Sequence, residues 1–351
     1  MSTELTTGVI SSAEYIAKNS TEVFVSEKGC KQAANSIYES MKLQQYSTET
    51  WASHPLNPKE KTKETVDWIF MVDLLNFSFW SDYDDSDSGH PRSQRYSVKY
   101  NDELYTGYWS LVAAINKALD AGIPITSPKY WASPEFTKDV LAQVLKSETE
   151  EQVPLFERRF EVLKEAGKVL ITRFGVNSFA DIISQADQSA VKLVNLVAEN
   201  FKSFKDVSNY KGREVKILKR AQILVSDLWA CFNGEQWGTF TDIDRISMFA
   251  DYRVPQILHT LNCISYSKDL KDHIEGLKYL EQGSPDEIEI RGCSIWAVEL
   301  IKRYILEEYP ESKVNAILID FYLWDSAKKL QKQLGGNGHL IPCHRTRSVF
   351  Y

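Results

Sequence analysis

The chain has 351 residues, of which 43% are hydrophobic and 25% charged, an ordinary composition for a soluble protein of one large or two small domains. Its 16 Phe, 17 Tyr and 9 Trp residues supply too much apolar surface for a disordered chain. The 41 basic and 48 acidic side chains give a formal net charge of −7, which argues against a general nucleic-acid binder but still allows a local basic pocket for one phosphate.

The sequence shows no membrane or export signal. No uncharged apolar window reaches the roughly 18 residues that a membrane helix needs. Residues 1–17 contain Glu4 and Glu14 in place of a basic stretch followed by an apolar one, so we expect no secretory signal. The five cysteines are far apart and form no CxxC pair. We therefore expect a protein of a reducing compartment, the cytosol or the nucleus, without membrane association.

Short helical patterns and loops alternate along the first hundred residues. A helix is expected to begin near Ser12, a suitable N-cap residue. Residues 53–58 are expected to form a loop, because their two prolines exclude a helix interior. Residues 65–76 are nearly continuously apolar, which fits either a helix or a buried strand. The acidic run 82–89 predicts a solvated loop.

A hairpin is the clearest strand signal: residues 96–100 alternate, Asn101 and Asp102 can form a turn, and residues 103–107 return. Helical periodicity dominates from there on, in segments 108–121, 160–174, 191–201, 221–232, 255–264, 296–309 and 314–334. The polar segment 203–216 is a weak candidate boundary within one domain over 1–351. These patterns predict a mainly α fold, a single helical body with a small β-hairpin insert.

Common catalytic motifs are missing. The sequence has no GxxxxGK[ST] phosphate loop, no HExxH zinc helix and no GxSxG nucleophile elbow. The glycines at 335–338 follow a helix instead of a strand, which favours a flexible loop over a dinucleotide site. His339, Cys343 and His344 are three possible metal ligands, but they lack a second ligand pair, and we expect no metal and no organic cofactor.

Three aspartates stand out, since each lies in an apolar, aromatic run, where a carboxylate is costly unless it is paired or functional. Asp251 stands beside Phe249 and shortly before Pro255, which fits the first turn of a helix. A carboxylate at a helix N-terminus is favoured in its ionised form. The structural alternative is a capping aspartate that pairs with Arg253.

Asp320 and Asp325 lie on the predicted helix 314–334 and would be about 140° apart around its axis. Either they serve a site, or Asp325 faces solvent and Asp320 pairs with a nearby basic residue. Weaker candidates are Lys219 and Arg220, which open a helix and can serve a phosphate or be solvated. His54 is a loop histidine, and Arg291 precedes the predicted helix 296–309, where it could hold an anion.

Six strings in the chain have an unusual, mostly aromatic-rich composition. They are DLLNFSFWS at 73–81, YTGYWSL at 105–111, GIPIT at 122–126, KRAQIL at 219–224, MFADYR at 248–253 and YLWD at 322–325. In these strings the chain resembles the queuosine salvage protein family, whose members are queuosine 5′-phosphate N-glycosylase/hydrolases. The resemblance extends from about Tyr15 to Tyr351, nearly the whole chain.

The resemblance implies a mostly helical fold that is distantly similar to the helix–hairpin–helix DNA glycosylases. It also implies hydrolysis of the N-glycosidic bond of queuosine 5′-monophosphate, a small-molecule substrate, with release of queuine. A glycosylase acting on intact nucleic acid is disfavoured by the net charge of −7, so no stable nucleic-acid complex is expected.

The resemblance also assigns residues. It places the family's catalytic aspartate, which lies in a Phe-Ala-Asp-Tyr-Arg string, at Asp251. Position 321 carries Phe where family members have Tyr, so only a packing role is transferred to Phe321. A phosphate role for Lys219 and Arg220 is implied more weakly. The base-binding residues of the family correspond to His54, Phe249, Asp251, Asp320 and Asp325.

The chemistry of this reaction suits these residue types. Breaking a ribosyl C–N bond builds positive charge on the sugar, which an ionised carboxylate stabilises or traps covalently. A deazaguanine lacks N7, so protonation there is impossible and more of the barrier must be lowered at the sugar. Carboxylates suit the N–H donors and the ammonium of queuine, and aromatic walls suit its flat ring. A non-enzymatic module that binds a modified base or nucleotide remains the second interpretation.

Overall fold

Helices form most of the chain in the computed structural model, which describes residues 5–84, 88–333 and 340–351. The helices are α1 Val9–Asn19, α2 Glu27–Leu43, α3 Thr48–Ser53, α4 Lys63–Leu75, α5 Tyr108–Asp120, α6 Pro128–Ala132, α7 Lys138–Val144, α8 Phe156–Lys168, α9 Ala180–Ile183, α10 Ala190–Asn200, α11 Lys219–Phe232, α12 Val254–Thr260, α13 Lys268–Glu275, α14 Pro285–Glu308 and α15 Ala316–Gln333. The predicted mainly α fold is confirmed.

Three antiparallel strand pairs accompany the helices in the described residues, where the sequence predicted one. The strands are β1 Val23–Val25, β2 Ser97–Tyr100, β3 Glu103–Thr106, β4 Val207–Tyr210, β5 Arg213–Lys216 and β6 Ile264–Tyr266. The predicted hairpin is β2–β3, and its turn residues Asn101 and Asp102 have φ of 48° and 62°. Strands β1 and β6 pair although most of the chain separates them in sequence, and no local sequence pattern predicts such a contact.

The ambiguous segment 65–76 is helical. It forms most of α4, whose N-cap Thr62 accepts a hydrogen bond from the backbone N–H of Thr65. Nearly every residue after Thr65 is buried, so this helix is apolar all round and shows no amphipathic period in the sequence. A helix buried on all faces cannot be distinguished from a buried strand by periodicity alone.

The polar segment 203–216 contains hairpin β4–β5, which contacts both α1 and α14. The backbone N–H of Lys216 donates to the hydroxyl of Ser12 on α1, and the phenol of Tyr210 donates to Glu289 on α14 at 2.7 Å. Ser12 is not the N-cap that the sequence suggested, since α1 begins at Val9.

Helix α14 corrects the prediction for Arg291. The helix begins at Pro285 rather than near residue 296, so Arg291 lies within it and not before its N-terminus. Its guanidinium donates to the Asp206 carboxylate at 2.6 and 3.1 Å and to Glu287 at 3.1 Å, which leaves it buried and paired. The helix continues through Gly292. A Cβ at this position would lie 2.5 Å from Ile16 of α1, so the glycine permits the close crossing of the two helices.

The helices that frame the site meet around one hydrophobic core. Helix α11 packs against α3 and α4, and α15 packs against α12 and α14. The loop 246–253 enters this core ahead of α12 and is almost entirely buried. Within the described ranges, no helix combines the length and apolarity needed to cross a membrane.

Candidate active site

A cavity of about 420 Å³ lies where α3, α5, α11 and α15 meet the loop before α12. Aromatic rings form much of its wall, and ionisable side chains of both signs interrupt them. The acids are Asp227, Asp251, Asp320 and Asp325, and the bases are Arg95, Lys219, Arg253 and Lys328. A cavity of this size and mixture suits a flat, polar small molecule.

Asp251 lies in this cavity and is 8% exposed. Its Oδ1 accepts hydrogen bonds from the backbone N–H groups of Arg253 at 2.7 Å and Val254 at 2.9 Å, at the start of α12. The side chain therefore satisfies the first turn of a helix and also faces the cavity. Burial raises the pKa of Asp251, while the charge of Lys219 and the two N–H groups act in the opposite direction.

Asp320 lies in the same cavity and is 5% exposed. Its Oδ1 accepts the backbone N–H of Phe249 at 3.0 Å, which ties α15 to the loop that carries Asp251. Burial raises the pKa of Asp320 well above its usual range, and the negative charge of Asp251 raises it further. The charge of Lys219 opposes both shifts, but Asp251 accepts two N–H donors whereas Asp320 accepts one and also experiences the negative charge of Asp251, so Asp251 is the carboxyl more readily ionised.

His54 and Asp325 occupy another part of the wall. The imidazole of His54 stacks on Trp109, with ring centroids 3.3 Å apart and planes 7° apart. Burial and the charge of Lys328 lower the pKa of His54 to about 4, so the ring is neutral at pH 7. Since its Nδ1 accepts from the N–H of Leu56 at 3.2 Å, its Nε2 carries the hydrogen. Asp325 accepts a hydrogen bond from the phenol of Tyr46.

Phe249, Phe321 and Lys219, which the resemblance assigned to the site, also line the cavity. The two phenylalanine rings pack at 6.0 Å between centroids, in agreement with a packing role for Phe321. Lys219 is buried, and its electrostatic interaction with Asp251 is stronger than its interaction with any other carboxylate. The structure thus brings together seven of the eight residues predicted for the site.

Arg220 is the exception. Its guanidinium donates to the backbone carbonyls of Asp73 at 2.8 Å and Leu74 at 2.7 Å, and to that of Ser203. It is fully buried on the side of α11 away from the cavity, and burial lowers its pKa to about 9. Successive helix residues point about 100° apart, so only one of the two adjacent cations faces the cavity. A phosphate role for Arg220 does not agree with this position.

Asp227 is a cavity carboxyl that the sequence reading missed. It follows Lys219 and Ile223 at four-residue intervals on α11, so that all three line the cavity. Burial raises the pKa of Asp227 well above its usual range, and Asp73 of α4 adds to this. Asp73 is itself fully buried, and no described residue donates to its Oδ2. The available signal was an aspartate in an apolar helix two turns after a cation.

Lys328 is a second missed residue. Its Nζ lies 4.2 Å from the ring centroid of Trp324 and 5.8 Å from that of Trp109. Burial and the positive charge of Arg253 lower the pKa of Lys328 to about 7. The sequence offered little warning, since lysines on an amphipathic helix usually face solvent.

The possible metal ligands do not form a site where they are described. His339 lies outside the described residues. His344 is buried, and its Nε2 lies 3.2 Å from the phenol oxygen of Tyr351. In the described part of the chain, no group of three or more His, Cys, Asp or Glu side chains is arranged to hold a metal ion.

The comparisons with known proteins agree on one family over most of the chain. The family model described as queuosine salvage protein matches residues 56–351. A protein of Schizosaccharomyces pombe is 48% identical over 98% of this chain and 99% of its own, and one of Bos taurus is 41% identical over 97% of each. A bacterial protein, from Sphaerobacter thermophilus, is 35% identical over 98% of both chains. All three are named queuosine 5′-phosphate N-glycosylase/hydrolase.

Proposed function

This chain belongs to the queuosine salvage protein family, and we propose that it uses Asp251 to hydrolyse the N-glycosidic bond of queuosine 5′-monophosphate, releasing queuine. The position of Asp251 is the observation that supports this role. Its carboxylate is buried among aromatic rings, accepts hydrogen bonds from two backbone N–H groups and interacts with the charge of Lys219. These contacts favour the ionised form in a place from which water is largely excluded.

The departing base takes the electron pair of the C1′–N9 bond, and positive charge develops on the ribose. Asp251 either stabilises that charge until water adds to C1′ or first forms a covalent ester with C1′ that water then hydrolyses. In both routes the water oxygen ends on C1′ and a proton ends on the base. The charge of a fixed, poorly hydrated carboxylate is worth more here than in bulk water.

The remaining predicted residues suit recognition of the base. Asp320 accepts N–H donors of the guanine-like edge, and Asp325 attracts the ammonium of the side group. The Nε2–H of His54 can donate to a hydroxyl of the same group. Phe249 and Phe321 pack on the flat ring, with the contact at Phe321 limited to packing because the residue lacks a phenol oxygen.

We further propose where the protein acts, what it does not require and which fold it resembles. The protein acts in the cytosol or nucleus, in agreement with five free cysteines. It needs no metal or organic cofactor and forms no stable complex with nucleic acid or membrane. Its fold is distantly similar to that of helix–hairpin–helix DNA glycosylases.

The test is hydrolysis of queuosine 5′-monophosphate, with the products separated by chromatography. We expect free queuine from the wild-type protein and a rate lower by roughly 10²–10⁴-fold in Asp251→Asn, because the amide keeps the hydrogen bonds at α12 but carries no charge. Asp269→Asn is the matched control, since Asp269, like Asp251, lies close to the start of a helix but is exposed, in the first turn of α13. Binding without turnover by the wild-type protein would favour the non-enzymatic module.

A further inference from the structure

The charges of the cavity are divided between its buried and its more exposed parts. Asp227, Asp251 and Asp320 are buried, and Lys219 lies among them. The other three cations, Arg95, Arg253 and Lys328, are only half-buried. The cavity therefore has a buried part dominated by carboxyl groups and a more accessible part dominated by cations.

The three half-buried cations come from separate parts of the chain. Arg95 precedes β2, and its Nη2 lies 3.9 Å from the position that a Cβ would take at Gly107, the residue before α5. Arg253 precedes α12, and Lys328 lies on α15. The positive charges of both arginines lower the pKa of Lys328 even though Asp325 opposes them, so the three groups act on one region.

Each of these cations has contacts within the protein. Arg95 lies 3.3 Å from the Asp84 carboxylate, and Lys328 interacts with Asp325 and the ring of Trp324. The half-buried part of the cavity wall nevertheless carries three basic side chains and one carboxyl group, that of Asp325, in a protein whose net charge is −7. Such local concentration of like charge is unfavourable by itself and becomes favourable when an anion binds.

We propose that Arg95, Arg253 and Lys328 form the subsite for the 5′-phosphate of the substrate, an inference that rests on the proposed hydrolysis of a nucleotide. Guanidinium groups bind phosphate oxygens in pairs, and the lysine adds a point charge. The start of α5 adds to this subsite, because Gly107 and Tyr108 line the cavity and no side chain caps the helix.

The geometry of a nucleotide agrees with this assignment. Asp251 and Arg253 are separated by a single residue, so one loop presents the carboxylate for C1′ and a cation for the phosphate. The ribose connects these two groups in the substrate. The guanine-like edge of the base then extends from C1′ toward Asp320 and the other buried carboxyl groups, which keeps the phosphate away from them.

The test compares queuosine 5′-monophosphate with queuosine, which lacks the phosphate, in the full-length protein. We expect the ratio of their kcat/KM values to fall by about 10- to 100-fold in Lys328→Gln and in Arg95→Gln, as for the loss of a hydrogen bond to a charged group. Lys329→Gln is the matched control, because Lys329 is exposed on the same helix and contacts Gln44. Its ratio should equal that of the wild type.

An equal loss for both substrates, or an unchanged ratio, overturns the assignment. A second measurement does not depend on turnover: calorimetric titration of the wild-type protein with ribose 5-phosphate and with ribose. We expect ribose 5-phosphate to bind more tightly by at least about 10-fold, and equal binding overturns the subsite. If the wild type hydrolyses neither substrate, the proposed function fails, while this titration still decides whether a phosphate is bound.

Discussion

Asp251 and Asp320 carry the same carboxyl group in the same cavity, but their surroundings give them different protonation behaviour. Both are buried, which raises both pKa values. Lys219 and two backbone N–H groups lower the pKa of Asp251. Lys219 and one backbone N–H group lower the pKa of Asp320, but the negative charge of Asp251 raises it. A pair of acids with separated pKa values is a common arrangement in active sites. Asp251 is then ionised over a wider pH range than Asp320.

The pH dependence of hydrolysis should follow Asp251. Because its pKa is raised, kcat/KM should fall as pH decreases and begin to do so above the usual range for an aspartate. Lys219 stabilises the ionised form, so Lys219→Met should raise the pKa of Asp251 and shift this acidic limb to higher pH. The measurement is kcat/KM between about pH 4 and pH 9 for both proteins. An acidic limb at the same pH in both would show that Lys219 does not act on the ionising group.

At the scale of elements, α11 directs one of two adjacent cations to the cavity and the other to buried backbone carbonyls. Lys219 faces the cavity, and Arg220 holds the carbonyl groups at the end of α4 and that of Ser203. The carbonyls of Asp73 and Leu74 lie in the last turn of α4, where no helical N–H remains to pair with them, so a buried guanidinium satisfies them. The two adjacent residues should therefore respond differently to substitution.

Arg220→Met should lower the free energy of unfolding by about 3 kcal/mol or more, since several buried carbonyls lose their donor at once. Lys219→Met should destabilise the protein less and affect mainly hydrolysis. Urea denaturation of the two variants and the wild type provides the comparison. Wild-type stability in Arg220→Met, combined with a loss specific to the phosphorylated substrate, would restore the phosphate role first suggested by the sequence.

At the scale of the whole molecule, charge and enclosure both favour a free nucleotide over a polynucleotide. The net charge is −7, and the cations that line the cavity surround a space of about 420 Å³. A nucleic-acid backbone would bring many phosphates to a negatively charged protein, whereas a single nucleotide places one phosphate beside three cations.

Incubation with tRNA that contains queuosine should therefore release almost no queuine under conditions in which queuosine 5′-monophosphate is hydrolysed completely. Digestion of the same tRNA to mononucleotides beforehand should restore release, which serves as the positive control. Release from intact tRNA at a comparable rate would contradict the assignment of the free nucleotide as substrate.

Much of the site could be predicted from local sequence. Asp251 and Asp320 were recognisable as carboxyl groups within apolar runs, because burying a charge is costly and therefore informative. Asp325 was recognisable in the same way, and the resemblance carried by the aromatic-rich strings gave Asp325 and the weaker candidate His54 a role in binding the base. Lys328 and Asp227 escaped this approach, since nothing in their immediate neighbours distinguishes them from ordinary helix residues.

The sequence by itself determined that this protein is mainly helical, that one hairpin joins residues 97–106, and which acidic side chains are unusual. These properties depend on periodicity, turn residues and local composition. Only the tertiary structure decided that Lys219 faces the cavity while Arg220 does not, that Arg291 lies within α14, and that Arg95, Arg253 and Lys328 converge. These facts depend on how distant elements pack, and packing is a property of pairs of segments that no single segment encodes.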